Sequence, residues 1–149
     1  MILNRQRTAR LARRPLELFL RHIGGELGFE GAEVTVCLVS DAEIARMNAA
    51  FRGKKGPTDV LSFPATEERR PLRINRGRRG PIKNKYLGDV AISPATAGRN
   101  AKTYGRTLGN EIRILMLHGV LHLLGYDHET DRGKMDRLER KLRRRLGLA

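Results

Sequence analysis

The sequence predicts an α/β fold in a single domain over residues 1–149, built on a mixed sheet. Three observations lead there. Apolar, β-branched stretches alternate along the chain with stretches whose apolar residues recur at helical spacing, the pattern of a layered α/β domain. The last third holds a helix apolar on most of its sides, and such a helix has to lie in the middle of a fold. Finally, 149 residues, 40% of them hydrophobic, suffice to bury a real core without disulfides or a structural metal.

Ile2-Leu3 opens a short extended segment, followed by a basic stretch through Arg13-Arg14. Pro15 suits a helix start, and Leu16, Phe19, Leu20, Ile23 and Leu27 follow at helical spacing, with Gly24-Gly25 weakening the helix near its end. Glu33 to Val39 is β-branched and apolar, a buried strand carrying the lone cysteine, Cys37, as a small hydrophobe. Ser40-Asp41-Ala42-Glu43 resembles a capping box and opens a second helix reaching about Ala50. Val60 to Phe63 is a short strand stopped by Pro64, Leu87 to Ile92 is another, and Ser93-Pro94 starts a further helix.

Between those two strands, Arg69 to Lys85 carries eight basic and no acidic residues, with Pro71, Gly77, Gly80 and Pro81. That composition is a loop, read either as a solvated excursion or as an RNA-gripping arm. Ile112, Leu115, Met116, Leu117, Val120, Leu121, Leu123 and Leu124 form the central helix, which Gly125 stops. A last amphipathic helix runs from about Asp131 to Leu146, with Met135, Leu138, Leu142 and Leu146 turned inward.

Thirty Lys and Arg against sixteen Asp and Glu give a net charge of +14. Such an excess points to a polyanionic partner, most often nucleic acid, although a basic solvated surface is the plainer alternative. With 5% aromatics and no Trp there is little sign of a base-stacking platform, so binding is expected to lean on phosphates and to weaken with salt. No apolar run approaches the roughly 18–20 residues of a membrane span. A single cysteine cannot form an internal disulfide and suits a reducing cytoplasm.

Three of the four histidines, His118, His122 and His128, fall within eleven residues. On a helix His118 and His122 leave the same face one turn apart, and the turn at Gly125 lets His128 fold back toward them. Three imidazoles with one open position describe a catalytic zinc site rather than a closed structural one. His22, alone on its helix, is a surface or boundary residue. Gly119 occupies the place where zinc peptidases of the H-E-x-x-H type carry a glutamate base, which argues against that chemistry. Glu111, two turns before His118 on the same face, is read either as an acceptor or proton carrier behind the site or as an N-terminal glutamate favoured by the helix dipole. Asp127 is a candidate to orient a ligand imidazole.

His118-Gly119-x-x-His122-Leu123-x-Gly125-Tyr126-Asp127-His128 resembles the signature of the YbeY family of bacterial endoribonucleases. Asn48-x-x-Phe51-Arg52-Gly53-Lys54-x-x-Pro57-Thr58-Asp59-Val60-Leu61-Ser62-Phe63-Pro64 and Leu87-Gly88-Asp89-Val90-x-Ile92-Ser93 match it too. The resemblance implies a small mixed, mostly parallel four-stranded sheet with about five to six helices and the histidine helix central. It implies a metal-dependent RNase directed at single strands, acting in ribosomal RNA maturation (the 16S 3′ end) and ribosome quality control. Its site would consist of His118, His122 and His128 on one zinc ion, with Arg52 the important arginine of the cleft. His118 and Arg52 are therefore the expected catalytic residues, and Lys54 and Lys55 either add phosphate attraction or are simply solvated. Single-stranded rRNA and the ribosome or its small-subunit proteins are the implied partners, with a monomer plausible, and the segment around Asp89 is linked in the family to ribosomal protein contacts. The basic stretch 69–85 departs from the family pattern. Two other readings stay open: a ribosome-assembly factor whose zinc is mainly structural, and a metallohydrolase of another substrate class.

Overall fold

A computed structural model of the chain describes residues 1–65, 83–127 and 132–148. In chain order the elements are β1 (Ile2–Asn4), α1 (Arg13–Leu27), β2 (Gly31–Leu38), α2 (Asp41–Arg52), β3 (Val60–Pro64), β4 (Lys83–Ile92), α3 (Pro94–Tyr104), α4 (Leu108–Leu123) and α5 (Lys134–Arg145). The strands form one sheet in the order β1-β2-β4-β3. β1 and β4 flank β2 in parallel, and β3 closes the sheet antiparallel to β4, with Val60 opposite Ile92 and Ser62 opposite Val90. The expected α/β class with a mixed, mostly parallel four-stranded sheet is therefore what the chain forms.

The period-two pattern of the strands sorts side chains to two faces. Val34, Val36 and Leu38 of β2 and Val90 and Ile92 of β4 point into the main core, with Leu16, Leu20 and Ile23 of α1 and Met116, Leu117 and Val120 of α4. The alternate positions face the other way, where Leu61 and Ala91 pack with Val39 and Ile44 under α2. Helix α4 touches β3, β4, α1, α3 and α5, and Ile112, Met116, Leu117, Val120, Leu121 and Leu123 are wholly buried. At roughly 1.5–3 kcal/mol for each large apolar side chain removed from water, this helix contributes heavily to the cohesion of the domain.

Local chemistry sets the helix ends, in places differently from expectation. Ser40 Oγ accepts from Glu43 N at 3.1 Å, as the capping-box pattern predicts. Helix α2 runs past Ala50 to Arg52, because Gly53 (φ 63°) takes the left-handed conformation and returns its N–H to the carbonyls of Ala49 and Asn48. Helix α1 starts at Arg13, with Pro15 inside its first turn. Strand β4 begins at Lys83, opposite Gly31, and so extends further back than Leu87. Helix α5 starts at Lys134, where the left-handed Gly133 (φ 83°) breaks the helical path; the expected start at Asp131 lies outside the described residues.

Asp41, at the start of α2, ties that helix to α3. Its carboxylate accepts from Ser93 Oγ, from Thr96 Oγ1 at 2.7 Å and from Arg99 Nη2 at 2.9 Å. These bonds hold the Asp41 carboxyl below the usual carboxylate range, against the opposing effect of partial burial. Among the described residues no helix is long and apolar enough to cross a membrane.

Candidate metal centre and its basic rim

His118 and His122 leave α4 on its solvent side, one turn apart, with their rings edge to face and centroids 4.7 Å apart. Their Nε2 atoms face each other at 3.1 Å. A tetrahedral zinc with Zn–N bonds of about 2.0–2.1 Å sets two ligand nitrogens about 3.3 Å apart, so the pair fits such an ion with a shift of a few tenths of an ångström. The third expected ligand, His128, lies outside the described residues. Among those residues, no three His, Cys, Asp or Glu side chains converge as a metal set.

The opposite face of the same turn explains Gly119. A Cβ there would stand 2.5 Å from Val90 Cγ1 and 3.0 Å from its Cγ2. Helix α4 lies so close on β4 that only hydrogen fits, and the sequence's missing glutamate base has no room to exist. Ser62 Oγ fastens the contact by donating to the Gly119 carbonyl at 3.0 Å. Close packing on one side thus fixes the direction of the imidazoles on the other.

Glu139 of α5 completes the arrangement. Its Oε1 lies 3.1 Å from His118 Nδ1, with the Glu139 side chain 13% exposed. A carboxylate on Nδ1 selects the tautomer with the proton there, leaving Nε2 as the lone-pair donor toward His122. Burial works to lower the His118 pKa, but the Glu139 hydrogen bond, the Glu139 charge and the charges of Asp59 and Asp136 outweigh it, so the imidazole is raised. Surroundings whose fields stabilise a proton on imidazole also favour a divalent cation in its place.

Neither Glu139 nor Asp59 was foreseen from the sequence. A signal existed for the first: Asp136 and Glu139 are the two acids of an otherwise basic helix, three residues apart on one face. Asp59 sits just before β3, where its carboxylate caps Val60 N at 2.8 Å and accepts from Asn100 Nδ2 of α3 at 3.1 Å. Nothing local separates that role from an ordinary strand-start aspartate.

Of the two readings of Glu111, its place in the first turn of α4 fits the glutamate favoured by the helix dipole. It is 3% exposed, and its Oε2 binds Arg106 Nη1 at 3.0 Å. Two turns of helix, roughly 10 Å, separate its Cα from that of His118, and the carboxylate serves to neutralise an arginine at the α3–α4 elbow. Asp127, the candidate to orient a ligand imidazole, is exposed, and its neighbour His128 lies outside the described residues. His22 is exposed, as expected of a surface residue.

Arg52, Lys54 and Lys55 are exposed at the C-terminal end of α2 and the loop that follows. Buried Asn48 pins that loop by donating to the Gly56 carbonyl at 3.0 Å, while Lys54 N bonds to the Asn48 carbonyl. The loop ends at Asp59, whose charge reaches His118. The three cations therefore stand on a short, anchored segment leading to the histidines. Most of the basic stretch 69–85 lies outside the described residues.

Residues 2–147 match the family model described as Endoribonuclease YbeY. The chain belongs to the YbeY family. A YbeY endoribonuclease from Solibacter usitatus is 44% identical over 144 residues, covering 97% of this chain and 86% of the relative. One from Koribacter versatilis is 40% identical, covering 99% and 86%. A solution structure of a Thermotoga maritima protein superposes with a TM-score of 0.61 at 28% identity, over 95% of this chain and 85% of that one. Membership in the YbeY family brings the Asn48–Pro64 stretch and the histidine run, far apart in sequence, under one description. In space they meet at β3, where Asp59 and Ser62 reach the His118–Gly119 turn.

Proposed function

We propose that this protein is a metal-dependent endoribonuclease that cuts phosphodiesters in single-stranded RNA. Its work would be ribosomal RNA maturation, the 16S 3′ end included, and ribosome quality control in the cytoplasm, in contact with the ribosome or its small-subunit proteins. The observation that carries the reading is the facing Nε2 pair of His118 and His122, oriented by Glu139, in a chain whose relatives are named endoribonucleases.

One zinc ion held by His118, His122 and His128 would supply Lewis-acid activation at the phosphate. The chain's own groups account for the rest. Glu139 keeps the His118 tautomer that turns Nε2 inward. Arg52 offers two parallel N–H donors to phosphate oxygens and stabilises the charge that grows there during displacement. Lys54 and Lys55 attract neighbouring phosphates. Those cations are needed, because Asp59, Asp136 and Glu139 would repel a polyanion approaching the histidines unaided.

The test combines zinc analysis with cleavage of single-stranded and duplex RNA by the wild type, His118→Ala and Arg52→Ala. His118→Ala should lose zinc and cleavage together, and it doubles as the control for contaminating RNase. Arg52→Ala should keep zinc and lose about 10²–10³ in rate, the usual effect of removing one charge-stabilising donor. Full cleavage by zinc-free His118→Ala protein would overturn the reading. Zinc-loaded wild type that binds RNA without cutting it would favour the assembly-factor alternative instead.

A further inference from the structure

Phe51 is 70% exposed, the most exposed large hydrophobic side chain among the described residues. It projects from the last turn of α2, immediately before Arg52, and its ring meets Phe63 of β3 edge to face, with centroids 5.0 Å apart and planes at 70°. An edge-on neighbour steadies an aromatic ring while leaving a face open. The helix beneath it ends in a left-handed Gly53 cap, so the ring stands on rigid backbone rather than on a free loop.

The exposed aromatics differ in their surroundings. Tyr86 donates its hydroxyl to the Asp89 carboxylate, an acidic neighbour for a polyanion. Tyr104 is stacked by Arg106 at 4.8 Å, and that guanidinium is already neutralised by buried Glu111. Phe51 stands beside Arg52, Lys54 and Lys55, none of which pairs with a carboxylate among the described residues.

Its position relative to the histidines follows from β3. Ser62 faces α4 and holds the Gly119 carbonyl; Phe63, the next residue, points to the other face and holds Phe51. β3 is an edge strand of the described sheet. Phe51 and the His118 turn therefore stand on opposite faces of one edge strand, joined by the basic loop that ends at Asp59.

From this placement we propose that Phe51 is a base-stacking platform for single-stranded RNA, holding a nucleobase a few nucleotides away from the scissile phosphate while Arg52, Lys54 and Lys55 hold the intervening phosphates. The proposal rests on the endoribonuclease reading and adds to it a reason for single-strand preference: a base locked in a duplex offers no open face to an aromatic ring. Such contacts tolerate any base, so the platform selects unpaired structure rather than sequence.

The experiment measures binding of a short fluorescein-labelled 2′-O-methyl oligoadenylate, which resists cleavage, by anisotropy. Phe51→Ala should weaken binding about 5- to 100-fold, and Phe51→Trp should retain it. The dependence of affinity on salt should stay unchanged, because no phosphate contact is lost. Moving a single abasic site along the oligomer should reveal one position where the wild type loses the same factor and Phe51→Ala loses nothing more. Binding by Phe51→Ala within about two-fold of wild type would overturn the platform. So would a loss that is the same at every abasic position, which marks a structural effect. If the wild type cuts RNA while either result holds, only the platform falls; if the wild type neither binds nor cuts RNA, the endoribonuclease reading falls and takes the platform with it.

Discussion

Replacing Gly119 by alanine adds one methyl where α4 lies closest to the sheet. The new Cβ would meet Val90 Cγ1 at 2.5 Å, Val90 Cγ2 at 3.0 Å and Ser62 Oγ at 3.3 Å. Ordinary carbon contacts are about 3.5–4.0 Å, so the helix or Val90 must move by about 1 Å. Val90 is wholly buried and β-branched, with few alternative rotamers, so it cannot simply swing away. Overpacking of this kind costs about 1–3 kcal/mol, whereas Gly to Ala in a helix interior gains up to about 1. The net expectation is a destabilisation of up to about 2 kcal/mol in urea unfolding. Gly98→Ala in α3 is the control, because the nearest atom to its Cβ is Leu108 Cδ1 at 3.9 Å. That variant should gain about 0.5–1 kcal/mol from helix propensity alone. Combining Gly119→Ala with Val90→Ala should recover part of the loss, with a coupling of at least about 1 kcal/mol. Gly119→Ala protein as stable as Gly98→Ala, or a loss that Val90→Ala leaves untouched, would refute the close-packing argument.

Glu139→Gln removes the charge on His118 Nδ1 while keeping the size of the side chain; the proposed zinc affinity should fall about 10- to 100-fold in a competition titration, with the fold intact by circular dichroism. An unchanged affinity would show that the carboxylate does not orient the ligand. Asp41 has a depressed pKa, so its bonds to Ser93, Thr96 and Arg99 contribute stability that is present above the ordinary aspartate value of about 3.9 and lost as pH falls below it. Asp41→Asn should therefore be less stable than wild type at neutral pH, by about 1–3 kcal/mol, and the gap should narrow as the pH of urea unfolding is taken below about 3.5. A gap independent of pH would refute the assignment.

Much of the candidate histidine site was legible because it is local. His118 and His122 share a face by the geometry of any helix, and the missing glutamate at 119 could be read directly. Glu111 stayed between two readings for a related reason: helical spacing gave its face and its place near the helix start, but its partner Arg106 lies across a turn whose path no periodicity encodes. Phe51 was hidden in composition, since a low aromatic content says nothing about which ring is left outside. Arg52, by contrast, was reached through the resemblance of its stretch to a family, not through any physical signal of its own.

By itself, then, the sequence determined the α/β class, the order of strands and helices, the cap at Ser40, the basic surface and the two-histidine face. Each follows from interactions within a few residues, or from a bulk property of the chain. Only the tertiary structure decided that Glu139, twenty-one residues on, holds His118. It also decided that Val90 crowds any side chain at 119, and that Ser62 and Phe63 present opposite faces of one strand to the histidine turn and to Phe51. Those contacts come from the docking of α4, α5 and α2 on the sheet, and the buried area of whole elements sets that docking, not the preference of any single residue.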